Sequence, residues 1–247
     1  MSRPLHEKSS VDTIRARFDA DVERFSKLET GQVAALDGRL MLEQITETAR
    51  VCCSGAQRVL DLGCGAGNYS LMLQQQFMRP LDFDLVDLSQ PMLERAQQRL
   101  QDASSGTVNL HQADLREVDL PEDSFDIIVA AAVLHHLRED AQWEAAYAQL
   151  FRWLKPGGWL FVSDLVEHTD PLVGALQWQQ YGAYLESLDG PAYREKVLSY
   201  IDEEDSPRPL LYQLGLMQKQ GFTSLDILHK HTCFAAFAGA RPASRAR

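Results

Sequence analysis

Three glycines within five residues mark the first stretch of this sequence that could do chemistry. They are Gly63, Gly65 and Gly67, in the run VLDLGCGAGNYSLML at residues 59–73, and Asp61 stands two residues ahead of the first. Because glycine has no side chain, a loop of this composition lets the backbone come close to a ligand. In an open parallel sheet, ligands bind outside the carboxyl ends of the strands. The stretch therefore predicts a cofactor site after a buried strand.

Four residues that could move a proton or contact an acceptor follow later apolar runs. His135 and His136 come after FDIIVAAAV, and Glu167 and His168 come after WLFVSDL. Histidine suits proton removal near neutral pH. These four are the candidate catalytic residues. The alternative for the histidine pair is packing, with one ring against the cofactor and the other exposed.

The elements that must position these residues alternate between short apolar runs and amphipathic segments. Such alternation predicts an α/β fold: a doubly wound, mostly parallel sheet of seven strands with helices on both faces. The predicted strands are RVLDLG, LDFDLVDLS, VNLHQADL, FDIIVAAAV and WLFVSDL, followed by two more in the tail TSLDILHKHTCFAAFAGAR as an antiparallel edge pair. The helix before WLFVSDL is predicted to end at KPGG.

The sequence predicts a single domain, residues 1–247, with four regions. Apolar residues at three- and four-residue spacing predict helices over 11–50, with a break at ETG and a second helix over 31–48. These helices are expected to form a lid that closes on the loaded site and excludes water. Residues 58–164 form the core, 165–215 an aromatic-rich helical insertion on the acceptor side, and 216–240 the last strands.

Composition limits the partners. The formal net charge of −11 disfavours a protein that grips nucleic acid through a broad basic surface. No apolar run is long enough to predict a membrane span, and the polar N-terminus lacks the apolar segment of a secretory signal. The four cysteines lack metal-ligand spacing, so no metal site is predicted, and as reduced thiols they suit the cytoplasm.

The glycine loop separates two cofactor classes. Dinucleotide-binding proteins use G-x-G-x-x-G, but here the third glycine comes one residue early and Asn68 takes the sixth position. VLDLGCGAG instead resembles the first motif of the class I S-adenosylmethionine-dependent methyltransferases, and LKPGGWLFVSD resembles the segment that leads into their fifth strand. The resemblance extends from about residue 58 to 239. It implies a methyl transfer from S-adenosylmethionine, with S-adenosylhomocysteine as product.

The resemblance also implies where the cofactor binds. Asp61 and the backbone of the glycine loop would hold its amino-acid end, Asp87 the ribose hydroxyls and Asp114 the adenine amino group. Leu88 and Met92 would pack near the ribose and adenine, and the segment FDIIVAAAVLHHL would lie along the cofactor. The complete implied set is Asp61, Gly63, Cys64, Gly65, Gly67, Asp87, Leu88, Met92, Asp114, Leu115, Ala130 and Ala131.

The reaction implied is an in-line displacement of the sulfonium methyl by a nucleophile, which depends mainly on positioning. The acidic charge and the aromatic insertion favour a small-molecule acceptor. Tyr181 and Tyr184 are candidates to line the acceptor pocket or to cover the positively charged sulfonium.

The chain's plan also resembles the carboxy-S-adenosylmethionine synthases, in its N-terminal helices and in the ending MQKQGF…CFAAFAGAR. Those enzymes require an arginine to read a carboxylate. The matching position falls at Val197 and Leu198 here, with Arg194 four residues away and Arg208 in a proline turn. Such a cofactor-modifying enzyme remains an alternative to the methyltransferase, as do a catalytically silent cofactor-binding partner protein and, less favoured, a dinucleotide oxidoreductase.

Overall fold

The computed structural model describes residues 3–27, 33–103 and 105–243. Its seven strands form one sheet in the order β3-β2-β1-β4-β5-β7-β6. They are β1 (Arg58–Leu62), β2 (Asp82–Asp87), β3 (Val108–Gln112), β4 (Phe125–Ala131), β5 (Leu154–Leu165), β6 (Thr223–His231) and β7 (Phe234–Ala240). Strands β1 to β5 run parallel to one another, whereas β7 pairs antiparallel with both β5 and β6. The predicted sheet and its antiparallel edge pair are confirmed.

Helices connect the strands and cover both faces of the sheet. They are α1 (Val11–Ala20), α2 (Val22–Ser26), α3 (Gly38–Cys52), α4 (Asn68–Phe77), α5 (Gln90–Asp102), α6 (Asp140–Trp153), α7 (Pro171–Glu204) and α8 (Leu210–Gln220). Two single 3-10 turns, Leu5–Glu7 and Leu134–His136, complete the described elements.

Alternating side chains on the strands divide the core into two layers. Val59 on β1 packs in the layer covered by α3, α4 and α5, whereas its neighbour Leu60 packs in the layer covered by α6 and α8. Both residues are completely buried. Strands buried on both sides explain why the sequence shows continuous apolar runs instead of strict alternation.

The strand order reverses direction between β1 and β4, because β1 pairs with β2 on one side and with β4 on the other. A crevice opens at such a switch point, beyond the carboxyl ends of the strands. The glycine loop leaves β1 there, and the 3-10 turn at Leu134–His136 follows β4 there. This part of the fold therefore brings the glycine loop close to His135 and His136.

Three element boundaries differ from the sequence prediction. Strand β5 begins at Leu154 and includes KPGG, with an irregular register against β4 where the two glycines fall. The second N-terminal helix begins at Gly38, and the expected helical residues 31 and 32 lie outside the described residues. The insertion contains the long helix α7, interrupted at Asp189 and Gly190, where Gly190 has a φ of 78° that favours glycine, and the start of α8, which extends past residue 215.

Candidate functional site

A cavity of about 250 Å³ lies at the switch point. Its floor consists of the glycine loop and the ends of β2, β4 and β5, and its cover consists of α1, α2 and the start of α3 together with part of α7. Most of the predicted cofactor residues line it: Asp61, Gly63, Cys64, Gly65, Asp87, Leu88, Met92, Asp114, Leu115 and Ala131.

The three loop glycines have different physical reasons to be glycine. All have positive φ values, of 70° for Gly63, 50° for Gly65 and 79° for Gly67. A Cβ on Gly63 would lie 2.5 Å from a methyl of Val133, and a Cβ on Gly67 would lie 2.9 Å from the Cβ of Ala96 on α5. A Cβ on Gly65 would meet nothing within 4 Å, since this residue faces the open cavity. Gly65 is therefore the position where backbone can approach a ligand.

Gly67 and Ala130 do not line the cavity, in contrast to the expectation that both contact the cofactor. Gly67 lies where α4 approaches α5, so its role in the structure is close helix packing. Ala130 is completely buried within β4, and the cavity is lined instead by the three residues after it, Ala131, Ala132 and Val133. Strand alternation turns the side chain of Ala130 into the opposite core layer.

Asp61 is buried at the end of β1, and its Oδ2 accepts a hydrogen bond of 2.6 Å from the hydroxyl of Ser70 on α4. Burial raises the pKa of Asp61 to about 6, against the lowering effect of the Ser70 hydrogen bonds. A carboxylate so placed holds the first turn of α4 beneath the glycine loop and could accept from an ammonium group in the cavity. Burial likewise raises the pKa of the neighbouring Cys64 thiol, which keeps it protonated and unreactive.

Asp87, at the end of β2, is hydrogen-bonded to the glycine loop. Its Oδ2 accepts from the Gly65 backbone N–H at 2.8 Å, and its Oδ1 accepts from the Ser89 N–H at 2.9 Å. Burial raises the pKa of Asp87 although these backbone hydrogen bonds lower it. Each oxygen keeps a further lone pair, so the side chain could also accept two hydroxyl groups. Leu88 and Met92 supply apolar surface beside it.

Asp114 forms an ion pair with Arg116 two residues later. Asp114 Oδ1 accepts from the Arg116 backbone N–H at 2.9 Å and from Nε at 2.8 Å, and Oδ2 accepts from Nη2. This pairing lowers the pKa of Asp114 against the effect of burial, so the group is ionised at neutral pH. Asp114 lines the cavity beside Leu115 and retains a lone pair on Oδ2 for an amino group. Together with Gly65 and Asp87, it makes the floor fit a nucleoside cofactor with an amino-acid end.

The two histidines after β4 are held by carboxylates. Nδ1 of His135 contacts Oδ1 of Asp164, and Asp164 Oδ2 also accepts from the His135 backbone N–H at 3.2 Å. Oδ1 of Asp205 lies 3.6 Å from Nε2 of His135 and 3.2 Å from Nδ1 of His136. Burial lowers the pKa of His135, but Asp164 and Asp205 outweigh it and raise that pKa to about 9. This raised pKa favours the imidazolium form of His135 at neutral pH, held between two carboxylates.

His136 lies beside this group at the cavity wall, and its ring meets Phe18 of α1 edge-on at 6.2 Å between centroids. Ligand atoms of His135, His136 and Asp205 lie within 4.8 Å of one another, a spacing at which three such residues could also hold a metal ion. The Asp164 contact already occupies one nitrogen of His135.

Glu167 and His168 do not line the cavity. Glu167 Oε1 accepts from the indole N–H of Trp178 at 3.3 Å, and His168 Nε2 lies 3.3 Å from Nζ of Lys230. The chain turns away from the crevice after Leu165, because the Val166 N–H donates to the carbonyl of Cys233 at 2.7 Å beside the antiparallel strand β7. The structure thus separates this pair from the predicted cofactor residues.

Tyr181 lines the cavity, whereas Tyr184 does not. Both lie on α7 and donate hydrogen bonds to the turn before α3, Tyr181 to the Ala34 carbonyl at 2.9 Å and Tyr184 to the Val33 carbonyl at 2.7 Å. The two hydroxyl groups therefore connect the insertion to the cover of the cavity.

Several residues that line the cover of the cavity were not predicted from the sequence as site residues. These are the aromatic or aliphatic side chains Ile14, Phe18, Phe25, Tyr200, Ile201 and Phe234. Their spacing indicated buried helix faces, but no pattern indicated that the faces from α1, α2 and α7 meet over one cavity. Asp164 and Asp205, which orient the histidines, were missed for the same reason.

Arg24 and Arg17 of the cover both line the cavity, and Arg24 pairs with Asp21. Arg17 is paired as well. Its Nε donates to Oε1 of Glu204 at 2.8 Å, and its guanidinium lies over the rings of Phe18 and Tyr200 at 4.3 and 5.3 Å. Arg194 and Arg208 do not line the cavity. Arg194 pairs with Glu186, and Arg208 pairs with Asp140. Neither Arg194 nor Arg208 is therefore placed to bind a carboxylate group on the cofactor.

Comparisons with known proteins agree with this geometry. Residues 59–158 match the family of methyltransferase domains. The ubiquinone/menaquinone biosynthesis C-methyltransferase UbiE of Syntrophotalea carbinolica is 30% identical over 218 residues, which cover 84% of this chain and 85% of the relative. The demethylmenaquinone methyltransferase of Lactiplantibacillus plantarum is 28% identical over 181 residues, or 72% of this chain and 75% of that protein.

Solved structures share the fold. An O-methyltransferase family protein from Burkholderia thailandensis superposes with a TM-score of 0.67 at 15% identity, over 98% of this chain and 65% of that one. A phosphoethanolamine N-methyltransferase from Haemonchus contortus, in complex with S-adenosylhomocysteine, gives a TM-score of 0.58 at 17% identity, over 91% and 60%.

A glycine loop at the switch point of a seven-stranded sheet, with carboxylates after β1 and β2, defines a nucleoside-cofactor enzyme of the α/β class. The protein belongs to the class I S-adenosylmethionine-dependent methyltransferases, and its cofactor is S-adenosylmethionine. No helix in the described ranges is both long and apolar enough to cross a membrane.

Proposed function

We propose that this methyltransferase acts on a small, apolar, aromatic acceptor and uses His136 to remove a proton from it. The cofactor-binding set proposed is the cavity-lining one, from Asp61, the glycine loop, Asp87 and Asp114. The relatives named for quinone biosynthesis support an aromatic acceptor and methylation at carbon. The reduced thiols favour a cytoplasmic enzyme.

The observation that carries this proposal is the division of one cavity into two chemically different parts. The floor presents backbone and the carboxylates Asp87 and Asp114, whereas the cover presents Phe18, Phe25 and Tyr200. Apolar walls with a few convergent polar groups are typical of small-molecule sites. A flat aromatic molecule would satisfy the apolar part without leaving a buried polar group unpaired.

The cofactor supplies an electrophilic methyl group on a sulfonium. The chain's own residues would bind the acceptor in line with it, exclude water beneath α1 and α2, and accept a proton. His136 suits that last role because its Nδ1 faces the Asp205 carboxylate, which leaves Nε2 to take the proton and stabilises the imidazolium that forms. His135 and Asp164 act as positioning residues, since they fix the turn that carries His136.

The experiment is a comparison of His136→Gln with His168→Gln, the residue that sequence alone nominated equally. Native mass spectrometry of freshly purified protein identifies any bound cofactor, and formation of S-adenosylhomocysteine is followed with a panel of hydroxylated aromatic acceptors. We expect His136→Gln to lower kcat by about 10²–10⁴-fold while cofactor affinity stays unchanged. His168→Gln should turn over normally because its side chain lies outside the cavity.

Three results would contradict the proposal. Loss of activity in His168→Gln but not in His136→Gln would move the proton acceptor to the other pair. A carboxylated cofactor released from the purified protein would favour the cofactor-modifying alternative. Tight cofactor binding without turnover on any acceptor would favour the catalytically silent alternative.

A further inference from the structure

A second cluster of metal-ligating side chains lies outside the cavity, between the start of α3 and the edge strand β6. Asp37 immediately precedes α3, and His229 and His231 lie near the end of β6. Their ligand atoms all lie within 4.8 Å of one another. None of the three residues lines the cavity, and the methyl transfer proposed above uses none of them.

Both imidazoles point at the same carboxylate oxygen. Nε2 of His229 lies 3.0 Å from Oδ2 of Asp37, and Nδ1 of His231 lies 2.7 Å from it. Around a tetrahedral Zn²⁺ with bonds of about 2.0–2.1 Å, neighbouring ligand atoms stand about 3.4 Å apart. Opening the two contacts by about 0.4 and 0.7 Å would therefore admit the ion.

The backbone presents these side chains together without further rearrangement. His229 is paired with Ala236 and His231 with Phe234 in a regular antiparallel register, so the two rings lie on one face of β6. Lys230 between them directs its ammonium group to the Thr232 carbonyl and to His168. Asp37 has a φ of 59°, a left-handed conformation that aspartate adopts more readily than most residues.

The donor set and its exposure suit a transition metal. Two imidazole nitrogens and one carboxylate oxygen are ligands that Zn²⁺ accepts, and three protein ligands leave a fourth position for water. The side chain of His231 is 53% exposed, so an ion has a path from solvent and room for that water.

The cluster is attached to the cover of the cavity. The turn that ends at Asp37 contributes Ala34 and Ala35 to the cavity wall, and Gly38 follows it there. Tyr181 already holds this turn from α7 through the Ala34 carbonyl. A metal ion bound to Asp37 would fix the same turn to β6 from the other side.

We propose that Asp37, His229 and His231 form a binding site for a divalent transition-metal ion, best fitted by Zn²⁺, which fastens the cavity-lining turn to the sheet edge. The site is independent of the acceptor's identity and of His136. The sequence did not reveal it because Asp37 and the nearer histidine are 192 residues apart.

The test is calorimetric titration of the full-length protein with Zn²⁺ after treatment with a chelator. We expect one ion fewer to bind to His231→Ala than to the parent protein, or the affinity at that site to fall at least tenfold. Co²⁺ serves as a second probe, because the visible absorption of bound Co²⁺ shows directly whether its coordination is tetrahedral. Asp37→Asn, which keeps the shape of the side chain, should reduce both signals.

Two controls keep the outcome specific. His136→Ala disrupts the second group that could hold a metal among the described residues, the one in the cavity, and His6→Ala removes a well-exposed histidine. Neither should change the Co²⁺ spectrum of the Asp37 site. The proposal is overturned if the parent protein binds no Zn²⁺, or if His231→Ala binds as many ions as tightly as the parent while His136→Ala does not. Circular dichroism verifies that every variant is folded.

Discussion

At the scale of the residue, Asp87 has a structural role in the glycine loop, and the proposed binding role rests on the same side chain. Its two oxygens accept backbone hydrogen bonds from Gly65 and Ser89, which fix the glycine loop against the first turn of α5. The same side chain faces the cavity. A carboxylate in this position shapes the loop without any ligand, and its remaining lone pairs could accept hydrogen bonds from a cofactor, as proposed above.

Replacing Asp87 should weaken S-adenosylmethionine binding. Asp87→Ala leaves the ribose hydroxyls without an acceptor, so we expect a loss of about 1–3 kcal/mol in binding free energy by calorimetry. Asp87→Asn keeps one acceptor oxygen and should lose less. Asp119→Ala, a substitution at an exposed aspartate, is the matched control. Equal affinity in Asp87→Ala and the control would remove Asp87 from the cofactor site.

At the scale of the element, α1 closes the cavity through polar contacts with α7, whereas α2 is held by Arg95 of α5, whose Nε donates to the Ser26 hydroxyl at 3.1 Å. Arg17 on α1 pairs with Glu204 at the end of α7, and Ser9 ahead of α1 donates its N–H to the Glu203 carbonyl at 2.9 Å. Ile14 and Phe18 then face inward on the same helix. In this pair Glu204 is buried and Arg17 is partly buried, so removing Arg17 would leave the Glu204 charge uncompensated.

Opening this cover should be visible by hydrogen exchange. We expect cofactor binding to slow amide exchange over residues 11–26, and Arg17→Gln to speed it and to weaken the affinity for the cofactor, since Glu204 loses its partner. Arg15→Gln on the same helix is the control, because Arg15 pairs locally with Asp12. If exchange over 11–26 is the same with and without cofactor, these helices are a fixed wall and not a lid.

The elements also show how far sequence reasoning reaches. The alternation of strands and helices, the glycine loop and the edge pair β6–β7 follow from local periodicity and from connections between neighbouring segments. The contacts that complete the site do not follow from local patterns, because they join residues far apart in the sequence. Asp205 reaches His136 across 69 residues, and Arg17 reaches Glu204 across 187. From sequence alone, a charged residue in a helix or loop is expected to be solvent-exposed. Only the fold shows which partner it contacts.

At the scale of the whole molecule, the buried His135 couples protonation to folding. Its ring lies between Asp164 and Asp205, with Glu204, His136 and Arg17 close to the same group. These carboxylates raise the pKa of His135 to about 9 in the folded protein against the effect of burial, whereas an unfolded histidine titrates near about 6.5. The folded state therefore holds the proton more tightly than the unfolded state.

The sign of the pH dependence follows from that difference. The stabilisation from protonated His135 is fully present below about pH 6.5 and is lost as the pH rises through about 9. The free energy of unfolding should fall by at most about 3 kcal/mol as a result. We expect the free energy of unfolding, measured with urea between pH 6 and pH 10, to fall over this window. His135→Gln is less stable throughout because Asp164 loses its partner, but its decline over the window should be shallower. Parallel curves for the parent and His135→Gln would mean that His135 is neutral in the folded protein, and His135 would then regain its place beside His136 as a proton acceptor.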